Sequence, residues 1–252
     1  MAKRDDIIQL LNGWLEPEKF KDYCPNGLQV EGCGDVHRIV TGVTASQAFL
    51  DQAVAAGADM VLVHHGYFWR GEDPRILGIR RRRLATLFAH ELNLVAYHLP
   101  LDAHPVMGNN IQLAHVLDFS EAKPAGEAGE SGLLWTGTLE SPLSPEALAE
   151  RIGERLNRMP LHVGGGSAEI RTLAWCTGAA QGFIEQAVGL GVDAYISGEI
   201  SEPTVHSARE CGIHYYAAGH HATERYGVQA LGAKLQETLD IEHLFIDVPN
   251  PV

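Results

Sequence analysis

The apolar positions of this chain fall into short runs of two kinds, and the two alternate regularly. Residues 36–43 (VHRIVTGV) and 60–63 (MVLV) have the apolar density of strands, whereas residues 45–56 space Phe49, Leu50, Ala53 and Val54 onto one helical face. Gly57 stops that helix. The same order returns later: a strand at 172–176 (TLAWC), a helix at 181–190, a stop at Gly191 and a strand at 194–196. Each series continues into another helix and strand, residues 84–98 (LATLFAHELNLVAYH) and 204–218 (TVHSARECGIHYYAA).

Aligned without gaps, residues 47–59 (QAFLDQAVAAGAD) and 181–193 (QGFIEQAVGLGVD) share Gln, Phe, Gln, Ala, Val, Gly and Asp, with Leu/Ile and Asp/Glu as conservative pairs. Identity at that level within one chain reads as duplication of a β-α-β unit. Strands alternating with helices of this length imply a mainly parallel sheet with helices on both sides. The expected fold class is therefore α/β, two repeated β-α-β halves in α/β/α layers. Residues 120–131 (SEAKPAGEAGES) have the composition of a linker and open a smaller αβ segment. It holds a strand near LLWTGTL, a helix SPEALAERIGERLN with Ser144 as N-cap and Pro145 at its first position, and a loose loop HVGGGSAE. The expected division is 1–118, then 119–171 as linker and insertion, then 172–252.

Composition narrows the class. With 252 residues, 45% hydrophobic and 20% charged, the chain can bury a full core, and no disorder class fits it. Acidic residues outnumber basic ones by 32 to 19, and the formal charge of -13 argues against non-specific binding to nucleic acid or an anionic membrane. The opening MAKRDDIIQLLNGWL reads as an amphipathic helix and not a signal peptide, because Asp5, Asp6 and Gln9 interrupt it. No apolar run approaches a membrane span. Cys24, Cys33, Cys176 and Cys211 lack CxxC spacing, which suggests neither a zinc ribbon nor a disulfide framework. The expectation is a reduced, cytoplasmic protein. Its oddity is 13 histidines that cluster as His64 with His65, His98 with His104, and His220 with His221.

In open α/β sheets ligands gather off the carboxyl ends of the strands. Three expected strands end there in metal-capable residues: His64 and His65; His98 followed by Asp102 and His104; and His220, His221 and Glu224. His220 and Glu224, one helical turn apart, can share a face. Successive strand side chains point to opposite faces, so His64 and His65 reach one site only where the pleat breaks, which Gly66 permits. Asp102, expected in a loop between Pro100 and Pro105, adds a fixed carboxylate. Singly these residues read as a hydrogen-bonded histidine, a loop anchor or a helix-terminus charge. Jointly they make a dinuclear metal site, with Glu224 able to bridge ions about 3.5–4 Å apart. Imidazole and carboxylate without thiolate suit Zn, Mn, Fe or Ni and do not choose among them.

Long strings spread along nearly the whole chain carry a family resemblance: YCPNGLQVEG from Tyr23, TGVTASQ from Thr41, VHHGYFW from Val63, HLPLDAHP from His98, AWCTG from Ala174, AAGHHATER from Ala217 and FIDVPNP from Phe245. On these the chain resembles the Nif-three-like family, known in bacteria as GTP cyclohydrolase 1 type 2 homologues, and within it the YbgI group. The resemblance implies a Nif-three-like fold and two divalent transition-metal ions per subunit, held by His64, His65, Asp102, His220 and Glu224, with Glu224 shared. It also implies a toroidal homohexamer whose metals face an internal cavity. The family label proposes hydrolytic opening of a purine nucleotide ring.

Two expectations for function follow: a metal-dependent hydrolase of a small, nucleotide-like or phosphorylated substrate, or a non-catalytic metal-binding scaffold ring. Candidates for a general acid or base are His98, His104 and His221 by sequence proximity, and Glu199 and His206 by the geometry of the repeat. Each equally suits the support of a ligand. The run Arg80, Arg81, Arg82, Arg83 opens a helix in an otherwise acidic chain, as an anion-binding rim, a solvated face or a subunit contact. The glycines Gly164, Gly165 and Gly166 resemble a phosphate-cradling loop only in composition, since the lysine and spacing of a P-loop are missing.

Overall fold

The computed structural model describes residues 1–125 and 132–252. The chain divides into two compact units, Met1–Leu101 with Gly227–Val248, and Asp102–Tyr226 with Pro249–Val252. The structure is mixed α/β, and where the pattern implied one sheet, each copy of the repeat builds its own.

In the first unit the sheet runs Glu242–Phe245, Arg38–Thr44, Met60–His65, Asn93–Ala96, Gly27–Val30; all neighbours are parallel except the last pair. The repeat's helix is Gln47–Ala55, capped where Ser46 Oγ accepts from the Phe49 N–H at 3.2 Å. Phe49, Leu50 and Ala53 of this helix, with Leu84 and Leu87 of helix Gly78–Ala89, pack on Val40, Val61, Val63, Leu94 and Ala96. The alternate strand positions Ile39, Met60, Leu62 and Val95 are fully buried on the opposite face. Burial on both faces is why these parallel strands read as unbroken apolar runs.

In the second unit the described strands are ordered Ser120–Pro124, Trp135–Leu143, Ile170–Cys176, Ala194–Ser197, His214–Ala217, Leu161–Val163. The three repeat strands are parallel, and the flanking ones pair antiparallel. One face packs Leu173, Trp175, Ile196 and Tyr216 against helices Asn109–Val116 and Pro145–Leu156. The other packs Ala174, Tyr195, Tyr215 and Ala217 against Ile184 and Ala187 of helix Ile184–Gly189 and Ala208 of helix Glu202–Cys211.

The two units meet at 101/102 and 226/227, where the sequence suggested divisions at 118 and 171. Within the segment expected as linker and insertion, Trp135–Leu143 and Leu161–Val163 pair on either side of the repeat strands of the second sheet. Ser120–Pro124, expected as linker, is an edge strand on Trp135–Leu143; the rest of that linker, 126–131, lies outside the described residues. Glu242–Phe245 belongs with the first unit through its pairing to Arg38–Thr44. Strand edges need backbone partners, and local sequence does not say which distant segment supplies them. Ser144 and Pro145 do start their helix, with the Ala147 N–H donating to Ser144 Oγ at 3.2 Å.

The aspartate shared by the two copies has one job in both. Asp59 Oδ2 accepts from the N–H groups of His37 at 2.7 Å and Arg38 at 3.0 Å. Asp193 Oδ2 accepts from those of Arg171 at 2.9 Å and Thr172 at 2.8 Å, and from Thr172 Oγ1 at 2.8 Å. Each carboxylate, sitting just before the second strand of its repeat, ties down the first. The glycine run is also structural: a Cβ at Gly165 would lie 3.0 Å from the Ala208 carbonyl, and one at Gly166 2.6 Å from His214 Cδ2. Close packing, not phosphate, requires those glycines.

Candidate metal centre

Strand Met60–His65 stays paired to its last residue, with His65 opposite Thr44, so the pleat does not break between the two histidines as expected. Their rings nevertheless lie 4.5 Å apart, tilted by 44°. His64 is fully buried and its Nδ1 meets the Tyr97 carbonyl at 2.9 Å. A carbonyl only accepts, so Nδ1 carries the proton and Nε2 is the nitrogen whose lone pair could face a metal. His65 Nδ1 is 3.2 Å from Thr44 Oγ1. Gly66 is needed for room: a Cβ there would overlap Gln29 Oε1 and lie 2.7 Å from Ala96 Cβ.

Beside them stands His98, its ring centroid 5.1 Å from that of His64 and 5.7 Å from that of His65, and edge-on to Trp69 at 5.0 Å. His98 Nδ1 lies 2.7 Å from Asp22 Oδ1, and Asp22 Oδ2 accepts from Asn26 Nδ2 and the Leu99 N–H, both at 2.9 Å. Burial alone would raise the Asp22 pKa, but the hydrogen bonds from His98 and Asn26 outweigh it and bring it down to about 2. His64, His65 and His98 offer nitrogens that lie within 4.8 Å of one another, a set that could hold a metal ion. Asp22, Cys24 and His98 form a second such set. There, however, the carboxylate already accepts from N–H groups, and burial, helped by the Asp22 charge, pushes the Cys24 thiol up to about 12. That set is a clamp on His98, since a protonated thiol is a poor ligand.

In the second unit Asp102 lies in the short helix Leu99–Ala103, not in a loop. It is 6% exposed, and its Oδ1 accepts from Asn109 Nδ2 at 2.9 Å and from Thr177 Oγ1 at 3.3 Å. Asp102 and Glu224 bring ligand oxygens within 4.8 Å of each other. Gly219, at φ +102°, turns the chain into the one-turn helix His220–Thr223, which ends at Glu224 before helix Arg225–Leu239 begins. The two residues thus do not lie within one continuous helix, since the chain breaks at the glutamate. The one-turn contact survives, with His220 Nε2 3.1 Å from Glu224 Oε2.

Behind His220, Nδ1 lies 2.7 Å from Glu199 Oε1. Extending the gap-free alignment of the repeat puts Glu199 where the first copy has His65. Burial alone would lower the His220 pKa, but the hydrogen bonds and charges of Glu224 and Glu199 outweigh it and raise it to about 9. The proton so held marks a place built for positive charge, which a metal cation can take on Nε2. Gly178 closes the group: at φ +68° its N–H donates to Thr223 Oγ1 at 3.1 Å, and its carbonyl accepts from the Gly198 N–H at 2.9 Å. A Cβ there would overlap Glu224 Oε1 and lie 3.2 Å from His220 Nε2.

The remaining candidates separate. His104 Nδ1 accepts from the N–H groups of Val106 at 3.1 Å and Met107 at 2.9 Å, which makes it a turn anchor. His206 is exposed on its helix, and His221 is half-buried with its backbone N–H on the Val252 carbonyl at 3.0 Å. Asp22, Asn109 and Thr177 escape sequence reasoning; Asp22 reaches its histidine across 76 residues, with no local signal. Nitrogen and oxygen donors, with rings fixed from behind by a carbonyl and a carboxylate, suit a divalent transition metal, so the residues present fit one.

Comparison with known proteins gives a consistent result. The family model for Duf34/NIF3 (NGG1p interacting factor 3) matches residues 2–251. A Pseudomonas aeruginosa protein named GTP cyclohydrolase 1 type 2 homolog is 56% identical over 245 residues, covering 97% of each chain. Among solved structures, protein ybgI, described as of unknown function, superposes with a TM-score of 0.95 at 53% identity over 100% of both chains. TTHA1606 from Thermus thermophilus does so with a TM-score of 0.90 at 32% identity, again over 100% of both chains.

Proposed function

The chain belongs to the Duf34/NIF3 family, and from that premise we propose that it is a metal-dependent hydrolase of a small nucleotide-like or phosphorylated molecule. In this reading His64, His65, Asp102, His220 and Glu224 are the ligands of two divalent ions per subunit, Glu224 being shared. The name of the Pseudomonas aeruginosa relative points to the opening of a purine ring. Two such ions, when bound, supply Lewis acidity for attack of water on an electrophilic carbon.

The observation that carries the reading is how the rings are held. Acceptors that have no proton to give, the Tyr97 carbonyl and the Glu199 carboxylate, fix Nδ1–H on His64 and His220. That is how proteins present Nε2 to a metal. Asn109 and Thr177 orient Asp102 in the same sense. His98, clamped by Asp22 and flanked by Trp69, orients a polar group of the substrate.

Two further expectations stand as parts of this proposal. Assembly into a toroidal homohexamer is supported by the family resemblance and by the exposed row Ile76, Leu77, Ile79, which a neighbouring copy would cover. A cytoplasmic location is supported by four free cysteines; no described helix is long and apolar enough to cross a membrane.

The test is metal analysis of the purified protein together with a hydrolase substrate screen of metal-loaded and chelated forms. Two ions per chain and chelator-sensitive turnover are expected. Stoichiometric metal retained in both His64→Ala and Glu224→Ala would remove the ligand assignment. Full metal occupancy with no turnover across the panel would replace hydrolysis by a scaffold role.

A further inference from the structure

The run of four arginines divides by face. Arg81 and Arg82 are exposed, while Arg80 and Arg83, one turn apart on helix Gly78–Ala89, turn toward a cavity of about 200 Å³. Its other lining residues are Gly66, Tyr67, Trp69, Glu72 and Ile79. The Arg80 guanidinium is engaged by the Glu72 carboxylate and the Asp73 carbonyl, and lies 5.9 Å from the Phe68 ring centroid. The Arg83 guanidinium lies 5.9 Å over the Tyr67 ring, and its Nε is buried with no acceptor among the described residues. Two guanidiniums against one carboxylate leave this cavity positive in a chain whose formal charge is -13.

We propose that this cavity is a phosphoryl-binding subsite, in which Arg83, backed by Arg80, takes the oxygens of a phosphate group on a small substrate. No hydrogen bond or ion pair engages the Arg83 guanidinium among the described residues, and its Nε is packed inside. Its two terminal nitrogens are the arms that a phosphate group in the cavity would take. The volume accepts a phosphoryl group but is below the roughly 300–1,000 Å³ of pockets that enclose a whole drug-sized ligand, so the rest of the substrate extends outward. The wall supplies the direction: Gly66 follows His65 directly, and the Trp69 ring lies 6.0 Å from that of His65 and 5.0 Å from that of His98. A molecule anchored by its phosphate would lay its remaining atoms along the indole toward the imidazoles. The subsite rests on the metal-centre reading only for this last step, and its anion binding is independent of it.

Calorimetric titration with inorganic phosphate, ribose 5-phosphate and ribose, on metal-loaded and chelated protein, tests the assignment. Both phosphate compounds should bind either form while ribose does not, and Arg83→Gln should weaken binding at least tenfold, with Arg209→Gln as an unaffected surface control. On the unsubstituted protein, phosphate should slow phenylglyoxal modification of Arg83 and leave that of Arg209 unchanged, read by mass spectrometry. Phosphate binding that vanishes on chelation and ignores Arg83→Gln would place the anion on the metals, overturning the subsite while sparing the metal reading. No phosphate binding to either form, or no protection of Arg83, would overturn the subsite as well. Phosphate binding that Arg83→Gln abolishes, in a protein whose unsubstituted form takes up no metal under any loading condition, would sustain the subsite and sink the metal reading.

Discussion

Replacing Gly178 by alanine adds two costs that a second glycine allows to be separated. Gly178 and Gly191 both sit at φ +68°, in the left-handed region, and both belong to the second unit. Forcing a Cβ into that region costs about 1–2 kcal/mol per residue. At Gly191 nothing lies within 4 Å of the added atom, so Gly191→Ala carries the backbone cost alone. At Gly178 the same atom overlaps Glu224 Oε1 and crowds His220 Nε2, so the carboxylate must leave its position. Overpacking of that kind adds about 1–3 kcal/mol. For a chain of this size about 1 kcal/mol moves Tm by about 2–4 °C. Gly191→Ala should therefore lower Tm by roughly 2–8 °C and leave metal binding untouched. Gly178→Ala should lower it further and weaken metal binding by more than the roughly 10–100-fold seen when a ligand loses its supporting partner. The measurements are thermal melting of the chelated proteins and competition of the loaded ones against a chelator. If Gly178→Ala matched Gly191→Ala in both, the placement of Glu224 against Gly178 would be wrong.

Glu199→Ala should leave the fold intact and cost about 10–100-fold in metal affinity by releasing the His220 ring; unchanged chelator competition would refute that support. Asp193 is held below its ordinary 3.8: burial would raise it, and the N–H groups of Thr172 and Arg171 outweigh this. A depressed folded pKa contributes stability that is complete above the unfolded value and is lost as pH falls through the folded one. Asp193→Asn should thus destabilise the protein at neutral pH and flatten the fall of the urea midpoint below about pH 4; an equally steep fall in both proteins would contradict the clamp. Sedimentation should give six times the 27.4 kDa chain mass; a monomer at micromolar concentration would exclude the ring.

The duplicated helix–strand grammar was legible because it is local: Gly57, Ser144 and Gly191 are caps and stops, and the buried strands announce themselves as apolar runs. What the sequence hides is pairing. Nothing in SEAKP marks an edge strand, and nothing in EHLF names Arg38–Thr44 as its partner. At the candidate centre the metal-capable side chains were visible, since few other uses explain such clusters of imidazole. Their supports were not, because Tyr97 acts through a carbonyl that every residue has, and Asp22 reaches His98 only after folding. Gly66 and Gly178 were visible as glycines, yet their reason, a neighbour's oxygen where a Cβ would go, is tertiary.

The return of Glu242–Phe245 to the edge of Arg38–Thr44 bears on how the chain is made. During synthesis that edge emerges about 200 residues before its partner, an interval of about 10–40 s at 5–20 residues per second. Through that time its N–H and C=O groups form an open template of the kind that recruits foreign strands. The second unit, ending its main run at Tyr226, has all of its described strands synthesised before the first sheet can be completed. Until residue 242 is made, the nascent protein is therefore exposed to misassociation along Arg38–Thr44, and a ribosome stalled before that point leaves this edge bare.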